Sequence, residues 1–159
     1  MSRHLVAVLH SLPLTSVVRT RTRVDVVRRV LGCESASIVN LYPRAIANVN
    51  AVGLGVDDGV IVRGRADIAR ALDRVDTTDV LLAYGVQLPT GEARKPFRAQ
   101  MDWLDLALSA RSHDVWTFGG RPTHPSRWQR VVHRHAQGLS LEQAAALLLI
   151  ASTEPGVIE

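Results

Sequence analysis

The sequence predicts an α/β protein: a three-layer α/β/α domain with a mainly parallel central sheet of about four strands. Two observations carry this. Four short apolar runs, at 5–9, 36–42, 79–85 and 113–118, are continuous enough to be strands buried on both faces. Segments with a 3.6-residue apolar period separate them, and strands alternating with helices build parallel sheets. Right-handed crossovers then bring the loops that follow the strands to one edge of the sheet. With 159 residues, 47% hydrophobic and 21% charged, the chain is expected to be a single domain over 1–159, with 137–159 as a C-terminal helical extension.

The first strand, Leu5-Val6-Ala7-Val8-Leu9, runs into the polar loop His10-Ser11-Leu12-Pro13. A helix follows with Val24, Val27 and Leu31 on one face, Thr22 as its expected cap and Gly32 at its end. Asp25 lies four residues from both Arg21 and Arg29, spacing that favours charge pairing on a solvated face. The second strand is expected to stop at Pro43, which leaves Asn40 near its carboxyl end. Residues 44–59 read as a long irregular stretch with Asn48, Asn50, Gly53, Gly55 and the pair Asp57-Asp58, which fits turn chemistry better than a metal site.

The second helix is expected over 58–75, with Ile61, Ile68 and Leu72 sharing a face. A third strand ends at Gly85, and Pro96 opens a third helix whose stripe is Phe97, Met101, Leu104 and Leu108. The fourth strand ends at Phe118. Two short helices close the chain, the second with a Ser140/Gln143 capping box running through Ile150. A Gly138 between two helices faintly suggests a helix-turn-helix, but residues 144–150 are apolar all round and look like packing rather than a groove reader.

The net charge is +4 and the isoelectric point about 10.2, and Lys95 is the only lysine. Such a balance is compatible with a polyanionic partner, and arginine suits bidentate phosphate contact. Arginine-rich usage also follows from a GC-rich genome, so charge alone names no partner. No apolar run is long enough to span a bilayer, and Met1-Ser2-Arg3-His4 does not begin a signal peptide. A lone cysteine, Cys33, excludes an internal disulfide and fits a reducing cytoplasm. No metal or other cofactor is expected.

The candidate site centres on Gly119-Gly120-Arg121-Pro122-Thr123-His124-Pro125-Ser126-Arg127, a loop fixed by two glycines and two prolines between a strand and a helix. His124 either donates to a ligand or stabilises its own loop. Ser126 and Arg127, at a helix start, either bind phosphate or cap the helix and stay solvated. Asn40 offers a donor and an acceptor to a base edge, or caps its strand. Tyr42 stacks on a base or packs, and Arg19, Arg21 and Arg23 contact phosphate or pair on the helix surface. His10 is the one titratable group in the first loop and hence the candidate water-positioning base.

In their order, His10-Ser11-Leu12-Pro13, Ile38-Val39-Asn40-Leu41-Tyr42-Pro43, Leu81-Leu82-Ala83-Tyr84-Gly85 and Thr123-His124-Pro125-Ser126-Arg127 resemble the motifs of the uracil-DNA glycosylase-like superfamily. From about Leu5 to about Arg134 the chain is more similar still to a small uncharacterised bacterial and phage domain family with an Asn-Pro-Ser loop and a Gly-x-Pro-x-His-Pro loop. The resemblance implies a pocket that grips an extruded base or nucleotide, in DNA modification or repair. His124 and His10 would be its catalytic candidates, Asn40 and Tyr42 would contact the base, and Ser11, Arg19, Arg21, Arg121, Ser126 and Arg127 would meet phosphate or DNA. Where the closer family has Asn-Pro-Ser this chain has Ser11-Leu12-Pro13, with no Asp, Glu or Asn in the loop to place a hydrolytic water. That absence favours binding over N-glycosidic hydrolysis; a protein-interaction module with a basic surface is the third expectation.

Overall fold

The structure, a computed structural model, describes residues 1–46 and 58–152. It is a three-layer α/β/α arrangement around a mainly parallel sheet. The elements run β1 (His4–Leu12), α1 (Val18–Val30), β2 (Ser35–Ala45), α2 (Asp58–Leu72), β3 (Thr77–Leu82), α3 (Arg94–Ser109), β4 (Asp114–Phe118), α4 (Trp128–His135), α5 (Leu141–Leu148) and β5 (Leu149–Ala151). The sheet order is β2-β1-β3-β4-β5, parallel throughout except where β5 pairs antiparallel with β4.

The continuous apolar run of β1 is explained by a core on each face. Leu5, Ala7 and Leu9 pack with Val24 and Val27 of α1, Trp128 and Val132 of α4, and Ala144 and Ala145 of α5. Val6 and Val8 face the other way, with Ile68 and Leu72 of α2 and Phe97, Leu104 and Leu108 of α3. On that second face α2 lies almost against the backbone of β2. A Cβ on Gly64 would stand 2.1 Å from the carbonyl oxygen of Leu41, so only glycine fits. The fully buried Gln100 donates to that same carbonyl at 3.1 Å and accepts from Arg65 Nε at 2.6 Å.

Several boundaries differ from expectation. The sheet has five strands among the described residues rather than about four. Residues 149–151, expected to continue a helical extension, instead form β5 and cover the edge of β4 that would otherwise be bare. β2 runs through Pro43 to Ala45, because it is an edge strand and its register shifts there, so the missing N–H disturbs little. Asn40 therefore sits within β2, opposite Leu9, rather than at its end.

The first helix starts at Val18, and Thr22 donates to the Val18 carbonyl inside it instead of capping it. Asp25 pairs with Arg28 and Arg29, not with Arg21. The second helix stops at Leu72, and α3 begins at Arg94 after a single 3-10 turn, with Pro96 in its first turn. The expected capping box of α5 is present. Of the irregular stretch expected over 44–59, Arg44 and Ala45 belong to β2 and Asp58 opens α2. Asn48, Asn50, Gly53, Gly55 and Asp57 lie outside the described residues.

Candidate functional site

The strand order creates a crevice before any side chain is considered. From β1 the chain turns to β2 on one side, and from β3 it turns to β4 on the other. The loops therefore diverge beyond the carboxyl ends of β1 and β3, the position where open α/β sheets take ligands. A cleft of about 840 Å³ opens there, lined by His10, Ser11, Asn40, Arg21, Tyr84, Gln87, His124, Ser126, Arg127 and Arg130 among others.

The Gly119–Arg127 loop is held rigidly over this cleft. Gly119 and Gly120 take positive φ values of 78° and 83°, turning the chain sharply after β4. Gly85, beyond the end of β3 at Leu82 rather than its last residue as the sequence suggested, donates its N–H to the Pro122 carbonyl at 2.7 Å, and Arg23 of α1 donates to the Pro125 carbonyl at 2.5 Å. Trp128 is fully buried, stacks on Phe118 at 4.5 Å and 12°, and donates from Nε1 to the Thr123 carbonyl at 2.9 Å. The loop is thus fastened to α1, to the sheet and to the core.

This bracing orients His124. Its Nδ1 accepts from the backbone N–H of Ser126 at 3.1 Å and lies 2.9 Å from the Ser126 hydroxyl. An Nδ1 that accepts leaves the proton of the neutral ring on Nε2, which is then a donor without an intramolecular acceptor among the described residues. Burial, with Arg23 and Arg127 nearby, lowers the His124 pKa and favours this neutral form.

His10 lies deeper, 7% exposed, its ring 5.1 Å from Tyr42 and 6.2 Å from Phe97. Nδ1 is 3.1 Å from the Ser11 hydroxyl, while Nε2 has no hydrogen-bond partner among the described residues. Burial, and secondarily the charge of His124, pushes its pKa from 6.5 down to about 4. The unfolded chain therefore binds a proton near pH 6.5 that the folded chain refuses until about pH 4. Stability is complete above that window and falls as pH drops through it, by on the order of 2 kcal/mol between pH 7 and 5. Urea denaturation at the two pH values should show this loss, and His10→Gln should reduce it.

Seven of the sequence-predicted site residues meet at the cleft: His10, Ser11, Arg21, Asn40, His124, Ser126 and Arg127. Three do not line it. Tyr42 is fully buried in the core beside α2 and α3, so it offers no surface for a base to stack on. Its hydroxyl lacks a partner among the described residues, and burial raises its pKa to about 12. Arg19 is exposed on α1 outside the cleft, and Arg121 is exposed on the turn after β4. Thr20, Gln87 and Arg130 line the cleft without having been singled out in the sequence. Arg130 follows Arg127 by three residues, a helical spacing that was the available signal.

No carboxylate lines the cleft among the described residues. Among the described residues Arg21, Arg127 and Arg130 have no salt-bridge partner, whereas Arg3, Arg28, Arg29, Arg70, Arg74 and Arg111 do. The site is therefore an electropositive crevice with neutral donors and acceptors on its floor. Among the described residues no group of three or more metal-binding side chains occurs, and no helix is long and apolar enough to cross a membrane. Comparison with family models, curated proteins and solved structures finds no match for the chain.

Proposed function

We propose that the cleft binds a nucleotide or an extruded nucleic-acid base, with Asn40 and the Nε2–H of His124 addressing the heterocycle and the surrounding arginines its phosphate. The observation that supports this most is the convergence of His10, Asn40 and His124 on one cleft at the switch point of the sheet. An amide donor and acceptor beside a fixed imidazole donor match the edge of a base, and unpaired arginines match an anion.

Recognition without turnover is the favoured form. Hydrolysis of an N-glycosidic bond needs a group to place water and stabilise positive charge on the sugar, and no carboxylate lines the cleft among the described residues. His10 is a weak substitute, since its environment opposes the imidazolium. One feature favours a glycosylase-like activity as the second reading: His124 Nε2–H is a pre-placed donor of the kind that stabilises a departing base anion.

The test is equilibrium binding of nucleosides, nucleotides and short DNA, with base release measured on uracil-containing and modified single- and double-stranded DNA. Binding should weaken about tenfold in both Asn40→Ala and His124→Ala, the loss of one good polar contact each. Unchanged binding in both variants contradicts the proposal, and base release by the parent protein would promote the second reading.

A further inference from the structure

We infer that His10 is a positioning residue: its Nδ1–H donates to the Ser11 hydroxyl, and Ser11 in turn presents its own O–H to an oxygen acceptor of the molecule held in the cleft. This rests on the nucleotide reading for the occupant and deepens it by fixing the direction of one contact.

The count of protons sets that direction. A neutral imidazole carries one N–H, and its other nitrogen can only accept. His10 Nδ1 lies 3.1 Å from the Ser11 hydroxyl, whereas Nε2 is buried and has no hydrogen-bond partner among the described residues. With the proton on Nε2, an N–H would be buried without an acceptor, and the Ser11 O–H would be turned inward onto Nδ1. With the proton on Nδ1, the ring donates to Ser11 Oγ and only a lone pair stays unmet at Nε2. Buried N–H groups without a partner are rarer than acceptors short of a donor, which favours the second arrangement.

The rings packed on His10 point the same way. Tyr42 lies against it with 5.1 Å between centres, and its hydroxyl is also buried without a partner among the described residues. A protonated Nε2 would leave a proton on the His10 ring to be met as well as the one on Tyr42 Oη, and only one of the two could be satisfied by the other group. A bare Nε2 instead sets an acceptor on the ring beside that O–H. Phe97, the other ring against His10 at 6.2 Å, has no polar atom to offer.

Ser11 carries the effect into the cleft. It lines the cleft, and His10 is the one hydrogen-bond partner of its hydroxyl among the described residues. Once that oxygen accepts from Nδ1–H, its own proton has no acceptor there. His124 has the opposite arrangement, since its Nδ1 accepts from the Ser126 N–H and its Nε2 carries the proton. The two histidines thus hold opposite tautomers, and each arrangement leaves a donor for the occupant, Ser11 O–H in one case and His124 Nε2–H in the other. Carbonyl and phosphate oxygens of a nucleotide are acceptors of the matching kind.

The first measurement needs no ligand. At pH 7 both rings are neutral, His10 because burial holds its pKa down to about 4. A long-range nitrogen–proton NMR spectrum of the labelled protein then separates protonated from bare ring nitrogens. His10 should show a protonated Nδ1 and a bare Nε2, and His124 the reverse. A protonated Nε2 on His10 overturns the inference, whether or not a nucleotide binds.

The second measurement uses a deoxynucleoside and its 5′-monophosphate as probes. Ser11→Ala should weaken the monophosphate about tenfold, the loss of one hydrogen bond to the occupant. An equal loss with the nucleoside assigns the acceptor to base or sugar, and a loss confined to the monophosphate assigns it to the phosphate. His10→Asn sets an amide N–H near the place of Nδ1–H, whereas His10→Gln sets it near that of Nε2. His10→Asn should therefore bind the monophosphate about fivefold tighter than His10→Gln. A role in packing alone reverses that order, because Gln is closer to histidine in size. Ser11→Ala binding as the parent does, or the reversed order, overturns the inference. A protonated Nδ1 on His10 without affinity for either probe would keep the histidine–serine pair and remove the nucleotide reading.

Discussion

Trp128→Ala should destabilise the protein by about 3 to 5 kcal/mol and take the cleft with it. The indole is fully buried and stacked on Phe118, so its loss empties the centre of the core between the sheet, α1 and α4. The same ring holds the His124 loop through Nε1 and the Thr123 carbonyl. Trp128→Phe separates the two roles. It keeps most of the packing but leaves that carbonyl unpaired, at about 1 to 2 kcal/mol, so the fold survives while the loop loosens. Urea denaturation gives the stability change, and ligand affinity of the folded Phe variant gives the effect on the site. Equal affinity in parent and Phe variant would show that the indole bond does not position the loop.

Asp79→Ala should cost about 3 kcal/mol although it lies at the other end of the sheet. The carboxylate is completely buried and accepts from Arg3, Thr78, Trp116 and Cys33, at 2.9, 2.5, 3.0 and 3.4 Å respectively. Removing it strands those donors, and Arg3, whose side chain is 42% exposed, is the one that can turn to water. Burial alone would raise the Asp79 pKa, but the hydrogen bonds from Thr78, Trp116, Arg3 and Cys33 outweigh it and hold it below the usual range. Because the folded pKa is the lower one, this stabilisation is complete above about pH 4 and disappears as pH falls through the folded value. Acid titration of stability should show a loss below pH 4 in the parent that is smaller in Asp79→Ala. A variant as stable as the parent at pH 7 would contradict the account.

The layers were legible because a strand buried on both faces must be apolar at every position, as Leu5 to Leu9 and Val80 to Ala83 are. The edge strands were less so. Residues 144–150 are apolar throughout, and nothing in their pattern marks where α5 ends at Leu148 and β5 begins. Pro43 read as a stop because sequence does not reveal that β2 is an edge, where the proline is harmless.

The site followed the same division. His10, Asn40 and His124 were found because the parallel topology gathers the two strands and the post-strand loop that carry them. Tyr42 was misplaced because it packs in the same core as its neighbour Leu41, beside His10, a break in alternation that the sequence pattern does not reveal. Arg21 was assigned a partner by spacing alone, and only the rotamers show Asp25 turned towards Arg28 and Arg29.

The most direct test is to titrate isotope-labelled protein with a set of nucleoside monophosphates at low salt and map the amide shifts. The account predicts saturable shifts at Ser11, Asn40, Gly85, His124 and Ser126, which border the cleft, and none on the exposed face of α2 or α3. Absence of saturable shifts around His124 and Asn40 with every nucleotide, or shifts confined to α2 and α3, would contradict it.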